Sequence, residues 1–174
     1  MKYQLQTVYG DITKVSDLEA IVNAANCSLL GGGGVDGAIH RAAGPKLLEE
    51  CRTLNGCATG EAKITKAYNL DCQYVIHTVG PVWKGGSAGE ENLLAKAYRN
   101  SLQCAADHKI RTIAFPSIST GVYRYPVQSA ARIAVCTVRD YLRENPGVID
   151  IVRFVLFDKR TLLVYENAIR EFCE

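Results

Sequence analysis

The chain has 174 residues, 48% of them hydrophobic, so it is long enough to bury one sizeable core and too short for two ordinary domains. We therefore expect a single domain over residues 1–174. The formal net charge of +2 comes from scattered lysines and arginines, which argues against a nucleic-acid partner because no basic patch stands out.

Seven cysteines are spread along the chain, and no two of them are at CxxC spacing. This pattern argues against a disulfide framework and against a zinc site, and it is typical of a reduced, cytoplasmic setting. The first residues alternate polar and apolar types, and no apolar stretch is long enough to span a bilayer. We therefore expect a soluble, unprocessed protein without a membrane partner.

Short runs rich in β-forming residues alternate with segments of helical periodicity. The predicted strands are Tyr3 to Tyr9, Ala20 to Ala24, Ala62 to Lys66, Tyr74 to Val79, Arg111 to Phe115 and Ile151 to Phe157. The predicted helices are Val35 to Ala43, Pro45 to Leu54, Gly89 to His108, Pro126 to Glu144 and Arg160 to Phe172. This alternation predicts an α/β fold whose mixed, largely parallel central sheet is covered by helices on both faces.

Four consecutive glycines, Gly31 to Gly34, lie between the second predicted strand and the first predicted helix. Glycine lets the backbone reach positive φ and lets a ligand approach without an obstructing Cβ, and the amides at a helix N-terminus donate to anions. A flexible turn rarely needs four glycines in a row. The run therefore predicts a phosphate-binding loop.

A second loop of small residues, Ser117 to Tyr123, follows the fifth predicted strand. The hydroxyls of Ser119 and Thr120 and the amides around Gly121 are suited to close over a diphosphate. Both loops follow predicted parallel strands, and ligands of open α/β sheets bind at the carboxyl ends of such strands. We expect the two loops to form one site.

Two further patterns, a GxGxxG match and the three histidines, are not interpreted as functional motifs. Gly32, Gly34 and Gly37 satisfy GxGxxG, which would indicate a dinucleotide-binding oxidoreductase. The pattern follows the second strand rather than the first, and it encloses Asp36, whose carboxylate would crowd a pyrophosphate. The three histidines have no metal-ligand spacing, and His77, inside a predicted strand, is typical of a satisfied core histidine. No metal site is expected.

Five tracts along nearly the whole chain together resemble the macro domain family. They are GDIT (10–13), AIVNAAN (20–26), GGGGVDGAIHRAAGP (31–45), HTVGPVW (77–83) and FPSISTGVYRYP (115–126). They are similar to the MacroD-type branch, which hydrolyses ADP-ribose derivatives. The resemblance implies a three-layer α/β/α fold with ADP-ribose in a cleft between the two loops. It also implies a reaction that needs no metal or redox cofactor.

The resemblance implies that Asp11, Ile12 and Phe157 hold the adenine. Asp11 would accept a hydrogen bond from the adenine amino group, Ile12 would offer a backbone contact, and Phe157 would stack on the ring. From its position alone, Asp11 is also suited to cap a turn before Thr13, and Phe157 to end a strand in the core. Both interpretations of each residue stay open.

The family's diphosphate contacts correspond to residues of the two loops, and its aromatic residue beside the distal ribose corresponds to Tyr123. The diphosphate contacts are Gly34, Val35, Ser119, Gly121 and Val122. The chain departs from the family at Arg124, where glycine is frequent. A long cation there would either contact the phosphates or narrow the access of an ADP-ribosylated protein.

The reactive end of the family site corresponds to Asn26, Asp36 and His40. Asn26 would hold the distal ribose, and Asp36 would orient or deprotonate a water molecule. Asp36 and His40 are four residues apart on one predicted helix and so share a face. Alternatively, Asp36 only complements the helix dipole, and His40 lies on the surface or behind the site. Because Asp36 is expected in the first helical turn, we also predict that the dipole lowers its pKa.

The resulting hypothesis is a hydrolase that acts on derivatives of ADP-ribose. Its substrate is either O-acetyl-ADP-ribose or a mono-ADP-ribosylated protein. The main alternative is a module that binds ADP-ribose without turnover. An NAD-dependent oxidoreductase and an RNA-binding regulator are further alternatives, which the context of the glycine motif and the charge pattern disfavour.

Overall fold

The computed structural model describes residues 2–174, which contain one six-stranded sheet. The strands are β1 (Gln4–Tyr9), β2 (Ala20–Ala24), β3 (Ala62–Lys66), β4 (Tyr74–Thr78), β5 (Thr112–Phe115) and β6 (Ile151–Leu156). Their order is β1-β6-β5-β2-β4-β3, and each neighbouring pair is parallel except β3 and β4 at one edge. The prediction of a mixed, largely parallel sheet is confirmed.

Helices cover both faces of the sheet. They are α1 (Gly34–Ala43), α2 (Pro45–Arg52), α3 (Glu90–Asp107), α4 (Val127–Glu144) and α5 (Lys159–Cys173). The first two pack on one face with a short 3-10 turn (Ile12–Lys14), and the other three pack on the opposite face. Along β5, Ile113 and Phe115 enter the three-helix core while Ala114 enters the other, as the alternation of a strand requires. The predicted three-layer α/β/α fold is confirmed.

Every predicted strand and helix is present, with ends that differ by at most two residues. α1 begins at Gly34 rather than Val35 because the extended Gly33 is its N-cap. α5 begins at Lys159 rather than Arg160 because the Asp158 carboxylate accepts a hydrogen bond from the Thr161 amide at 2.7 Å. Within residues 2–174, none of the helices combines the length and the apolar character needed to cross a membrane.

The parallel part of the sheet determines where the loops meet. β6, β5 and β2 are consecutive in the sheet, so the segments that follow them leave at the same edge. These segments are the loop that leads into α1, the loop after β5 and the turn before α5.

Candidate functional site

A cavity of about 410 Å³ opens between these three segments. Its volume lies in the range of roughly 300–1,000 Å³ that is typical of small-molecule sites. Most of the predicted site residues line it: Asn26, Gly34, Val35, Asp36, Ser119, Thr120, Gly121, Val122, Tyr123 and Phe157. The structure therefore brings the two predicted loops together around one space.

Asp11 and Ile12 are not part of the cavity lining. Asp11 caps the 3-10 turn, where its Oδ1 accepts hydrogen bonds from the Thr13 amide at 2.9 Å and from the Thr13 hydroxyl at 2.7 Å. The Ile12 side chain is buried in the core beside α1. The capping interpretation of Asp11 is confirmed, and an adenine contact of either residue stays a prediction.

The first turn of α1 presents free donors to the cavity. Among the described residues, the amides of Gly34, Val35 and Asp36 have no protein acceptor, whereas the Gly37 amide donates to the Gly33 carbonyl at 3.2 Å. Such amides carry the partial positive charge of a helix N-terminus. This end of α1 is suited to bind a phosphate group.

The loop after β5 is held from behind by two buried tyrosines. The Tyr98 hydroxyl accepts a hydrogen bond from the Ile118 amide at 3.2 Å, and the Tyr165 hydroxyl donates to Ser117 Oγ at 2.9 Å. The Thr120 hydroxyl also donates to Ser117 Oγ, at 2.7 Å, so it stabilises the loop itself. No acceptor within residues 2–174 is bonded to the amides of residues 119–123. The loop is thus fixed while its donors stay free.

Ser119 has two features that indicate a ligand contact. Its φ of 68° lies in the left-handed region, and its hydroxyl is buried without a hydrogen-bond partner among the described residues. Gly80 makes this arrangement possible, because a Cβ at that position would overlap Ser119 Oγ. Strained backbone and an unsatisfied buried hydroxyl are typical of functional sites.

Apolar side chains are exposed at the mouth of the cavity. Phe157 is 73% exposed and Val122 is 90% exposed. Because β6 ends at Leu156, the interpretation of Phe157 as the last core residue of a strand is wrong. An exposed aromatic face beside a cavity is suited to stack on a planar ring.

Asp36 is the most deeply placed carboxylate of the cavity and is 5% exposed. Its Oδ1 accepts a hydrogen bond from Asn23 Nδ2 at 2.8 Å, and His40 Nε2 lies 3.4 Å from the same oxygen. A Cβ on Gly32 would lie 3.1 Å from Asp36 Oδ2 and 3.3 Å from Asn26 Nδ2. The glycine therefore keeps a gap open between the free carboxylate oxygen and the Asn26 amide.

The predicted low pKa of Asp36 is wrong. Burial raises the pKa because desolvation disfavours the charged carboxylate, and this effect exceeds the lowering by the Asn23 hydrogen bond and the His40 charge. The first-turn position was predicted correctly, but the depth of the side chain depends on the packing of the sheet and was not visible in the sequence. Asp36 consequently holds a proton more readily than an exposed aspartate.

His40 shares a face of α1 with Asp36, as predicted, but it does not line the main cavity. It lines a neighbouring hollow together with Arg41, and its side chain is 14% exposed. Of the roles left open for His40, the geometry matches a place behind the site, next to Asp36.

Asn26 connects the end of β2 to the glycine run. Its Nδ2 donates to the Gly31 carbonyl at 3.0 Å, and its Oδ1 accepts from the Ser28 amide at 3.1 Å and the Ser28 hydroxyl at 2.6 Å. These bonds use the oxygen and one amide hydrogen. The second amide hydrogen is available to the gap beside Asp36.

Two residues of the site, Asn23 and Gly80, were not predicted. Asn23 was missed, although an asparagine inside the apolar strand AIVNA signals a buried group that needs partners. Gly80 was also missed.

Arg124 is the position at which the chain departs from the glycine that is frequent in the family. Arg124 has a φ of 63°, a conformation that favours glycine, and it does not line the cavity.

The chain is similar to known proteins in sequence and in structure. A family model described as the macro domain matches residues 22–134. The macro domain-containing protein CT2219 of Chlorobaculum tepidum is 61% identical over 165 residues, which are 95% of each protein. ADP-ribose glycohydrolase MACROD2 of Xenopus laevis is 53% identical over 164 residues, which are 94% of this chain and 39% of that protein. A solved structure of a mutant Oceanobacillus iheyensis macrodomain with ADPR has a TM-score of 0.94 at 45% identity, covering 99% of this chain and 95% of that one. The chain therefore belongs to the macro domain family.

Proposed function

We propose that the cavity binds ADP-ribose and that the chain hydrolyses ADP-ribose derivatives. The similar Oceanobacillus macrodomain was solved with ADPR, and the Xenopus relative is named a glycohydrolase of ADP-ribose. One observation carries the catalytic part of the proposal: the buried Asp36 has a free oxygen that faces a gap beside Asn26. A desolvated carboxylate with a free oxygen beside a ligand cavity favours proton transfer over binding alone.

The binding part of the proposal rests on free donors and exposed rings. The two sets of unpaired amides, in the first turn of α1 and in the loop after β5, would hold the diphosphate. Phe157 would stack on the adenine, with Asp11 and Ile12 at its edge. Tyr123 would pack beside the distal ribose, since it lines the same cavity as Asn26 and Asp36.

The chemical part follows from the gap between Asp36 and Asn26. A water molecule there would donate one proton to Asp36 Oδ2 while its oxygen attacks the acyl carbon of O-acetyl-ADP-ribose. The ester bond then breaks, and the departing ribose oxygen takes the proton back from Asp36, which yields ADP-ribose and acetic acid, and the acid then releases its proton to solvent as acetate. A carboxylate with a raised pKa is better suited to this exchange than an exposed one. The same groups would serve a water that attacks the bond to a modified protein side chain.

The deciding experiment supplies each substrate separately. The protein is incubated with O-acetyl-ADP-ribose and with a mono-ADP-ribosylated protein, and released ADP-ribose is quantified by mass spectrometry. We expect release from at least one substrate, and we expect EDTA to leave the rate unchanged, since the described residues contain no cluster suited to hold a metal ion. Release from the small ester alone would restrict the proposed function to the small substrate.

Binding measured in parallel separates the alternatives. ADP-ribose should bind and raise Tm, because a ligand selective for the folded state stabilises it. Binding without release from either substrate would favour the non-catalytic module. Absence of binding would remove the proposal altogether.

A further inference from the structure

A row of buried polar side chains extends behind Asp36, away from the cavity. Asn23 on β2 donates from Nδ2 to Asp36 Oδ1 at 2.8 Å, and the same nitrogen lies 3.1 Å from Nδ1 of His77 on β4. His77 Nε2 lies 2.9 Å from Oγ1 of Thr65 on β3. Asn23 and His77 are fully buried and Thr65 is 2% exposed. Three neighbouring strands thus contribute one residue each to a network that ends on Asp36.

The register of the sheet produces this arrangement. In the parallel pair of β2 and β4, Asn23 lies directly beside His77. In the antiparallel pair of β3 and β4, His77 lies opposite Lys63, so Thr65 is two residues further along on the same face. None of the three network residues lines the cavity. Their contact with the reaction is therefore through Asp36 alone.

The donor and the acceptor of each hydrogen bond in this network can be assigned consistently. The Asn23 amide nitrogen has two hydrogens, which serve the Asp36 carboxylate and His77 Nδ1, so Nδ1 accepts. The His77 proton is then on Nε2 and is donated to Thr65 Oγ1, whose own hydrogen goes to the Lys66 carbonyl at 3.0 Å. In this orientation the Asn23 Oδ1 is buried without a partner among the described residues. If the amide turned over, its oxygen would face the Asp36 carboxylate, and that contact is repulsive while the carboxylate is ionised.

The charge states of the surrounding groups agree with this assignment. Burial lowers the pKa of His77 to about 3, with a further lowering by His40, so the His77 ring is neutral. The other titratable groups around Asp36 are His40 on α1, Cys51 on α2 and Tyr123 in the loop after β5. Burial raises the pKa of the Cys51 thiol to about 11 and also raises the pKa of Tyr123, so both are uncharged at neutral pH.

We propose that His77 and Thr65 are positioning residues for the hydrolysis: they orient the Asn23 amide, which holds Asp36 with one oxygen bonded and the other directed into the cavity. The effect on turnover rests on the proposed function, but the network itself is testable without it. Because neither His77 nor Thr65 touches the cavity, their loss should change the reaction while ADP-ribose binding stays nearly constant.

The first test removes one buried hydroxyl from the network and one from a matched position outside it. Thr65→Val removes the acceptor of the His77 proton, whereas Thr78→Val removes a buried hydroxyl of β4 that bonds to the carbonyls of Glu61 and Ala97. We expect Thr65→Val to lower kcat roughly 10-fold and to move the acidic limb of the kcat profile to higher pH. Thr78→Val should lower Tm only, and the Kd for ADP-ribose should stay within about 3-fold in both.

The second test changes His77 itself. His77→Leu removes the acceptor for Asn23, so we expect a larger loss of kcat than in Thr65→Val, roughly 100-fold. His77→Asn keeps an oxygen near the place of Nδ1, so it should recover part of the loss. If His77→Leu does not fold, Thr65→Val and His77→Asn still test the positioning role of His77 and Thr65.

An NMR measurement tests the network without turnover and so separates its failure from failure of the proposed function. Imidazole ¹⁵N shifts should show His77 as the Nε2–H tautomer between about pH 5 and pH 8. The carboxyl ¹³C titration of Asp36 should have a higher midpoint in Thr65→Val than in Thr78→Val. An Nδ1–H tautomer of His77 would overturn the proposal. Thr65→Val with wild-type kcat, acidic limb and Asp36 titration would also overturn it.

Discussion

The two loops around the cavity differ in the groups that they present to it, which are backbone amides in one loop and both amides and side chains in the other. The loop after β5 presents backbone amides and is held in place by hydroxyl groups behind it, including those of Tyr98 and Tyr165. The loop that leads into α1 also offers amides, but its Asp36 and Asn26 point functional groups into the gap above Gly32. In the proposed function, the loop after β5 would serve recognition, and the loop that leads into α1 would combine recognition with chemistry.

This difference predicts which substitutions separate binding from turnover. Backbone donors survive changes of side chain and are lost only when the chain is displaced or the space in front of them is filled. Side-chain groups are lost with a single substitution while the cavity keeps its shape. Substitutions of the functional side chains in the loop that leads into α1 should consequently lower kcat with little change in Kd. Substitutions that block the amides of the loop after β5 should mainly raise Kd.

The largest effect is expected from Asp36→Ala. Loss of the proton acceptor should lower kcat by about 100- to 10,000-fold, while the Kd for ADP-ribose changes little because most contacts belong to the adenine and the diphosphate. Asp36→Asn should be similarly inactive, because the amide keeps the shape but accepts no proton. In the wild type, kcat should fall as the pH drops through the raised pKa of Asp36 and the carboxylate becomes protonated.

Two outcomes for these variants would contradict the role of Asp36 as a base. Substantial activity in Asp36→Asn would mean that the side chain acts by position rather than as a base. Full activity in Asp36→Ala would remove Asp36 from the reaction.

The loop after β5 is tested by Gly121→Val. A Cβ on Gly121 has no protein atom within 4 Å, so Tm should stay constant, while the branched side chain fills space in front of the free amides. We expect the Kd for ADP-ribose, measured by calorimetry, to rise at least roughly 10-fold. Gly80→Ala is the comparison, because its Cβ would displace Ser119 and should weaken both binding and stability. Equal loss of stability in both variants would mean that Gly121 is structural.

A smaller effect is expected at the mouth of the cavity. Phe157→Ala should weaken ADP-ribose binding by about 1–3 kcal/mol if the ring stacks on adenine. Since Phe157 is 73% exposed, Tm should hardly change. Leu163→Ala is a control on α5, because Leu163 is 56% exposed and lies outside the cavity lining. Equal Kd values for the two variants would contradict stacking.

The smallest effect concerns stability. The raised pKa means that folded Asp36 binds a proton more tightly than unfolded Asp36, so its ionisation destabilises the fold as the pH rises through that pKa. Asp36→Asn should therefore have a higher Tm than the wild type at pH 7, by a few degrees. The difference should shrink on acidification, when the wild-type carboxyl is also neutral. A lower Tm for Asp36→Asn at pH 7 would show that the ionised form is stabilising.

The parts of the molecule that depend on local pattern were predictable from the sequence. Helical and strand periodicity located each element, and the glycines of residues 31–34 indicated the loop whose free amides line the cavity. The contacts of Asn23 with His77 were not predictable, because they depend on β2 lying between β5 and β4 and on the register of that pairing. The raised pKa of Asp36 was missed for the same reason, since burial follows from the packing of distant segments.

The attachment of the loop after β5 to Tyr98 and Tyr165 affects the thermodynamics of recognition. Fixing the backbone of a free residue costs roughly 1–2 kcal/mol of conformational entropy. Here that cost is met during folding, when the two tyrosines are buried with Phe115 and Phe154. An anion would meet amides that are already in place, so less of the interaction enthalpy is lost to ordering. The affinity of this loop for an anion would thus depend partly on the aromatic cluster of Tyr98, Phe115, Phe154 and Tyr165.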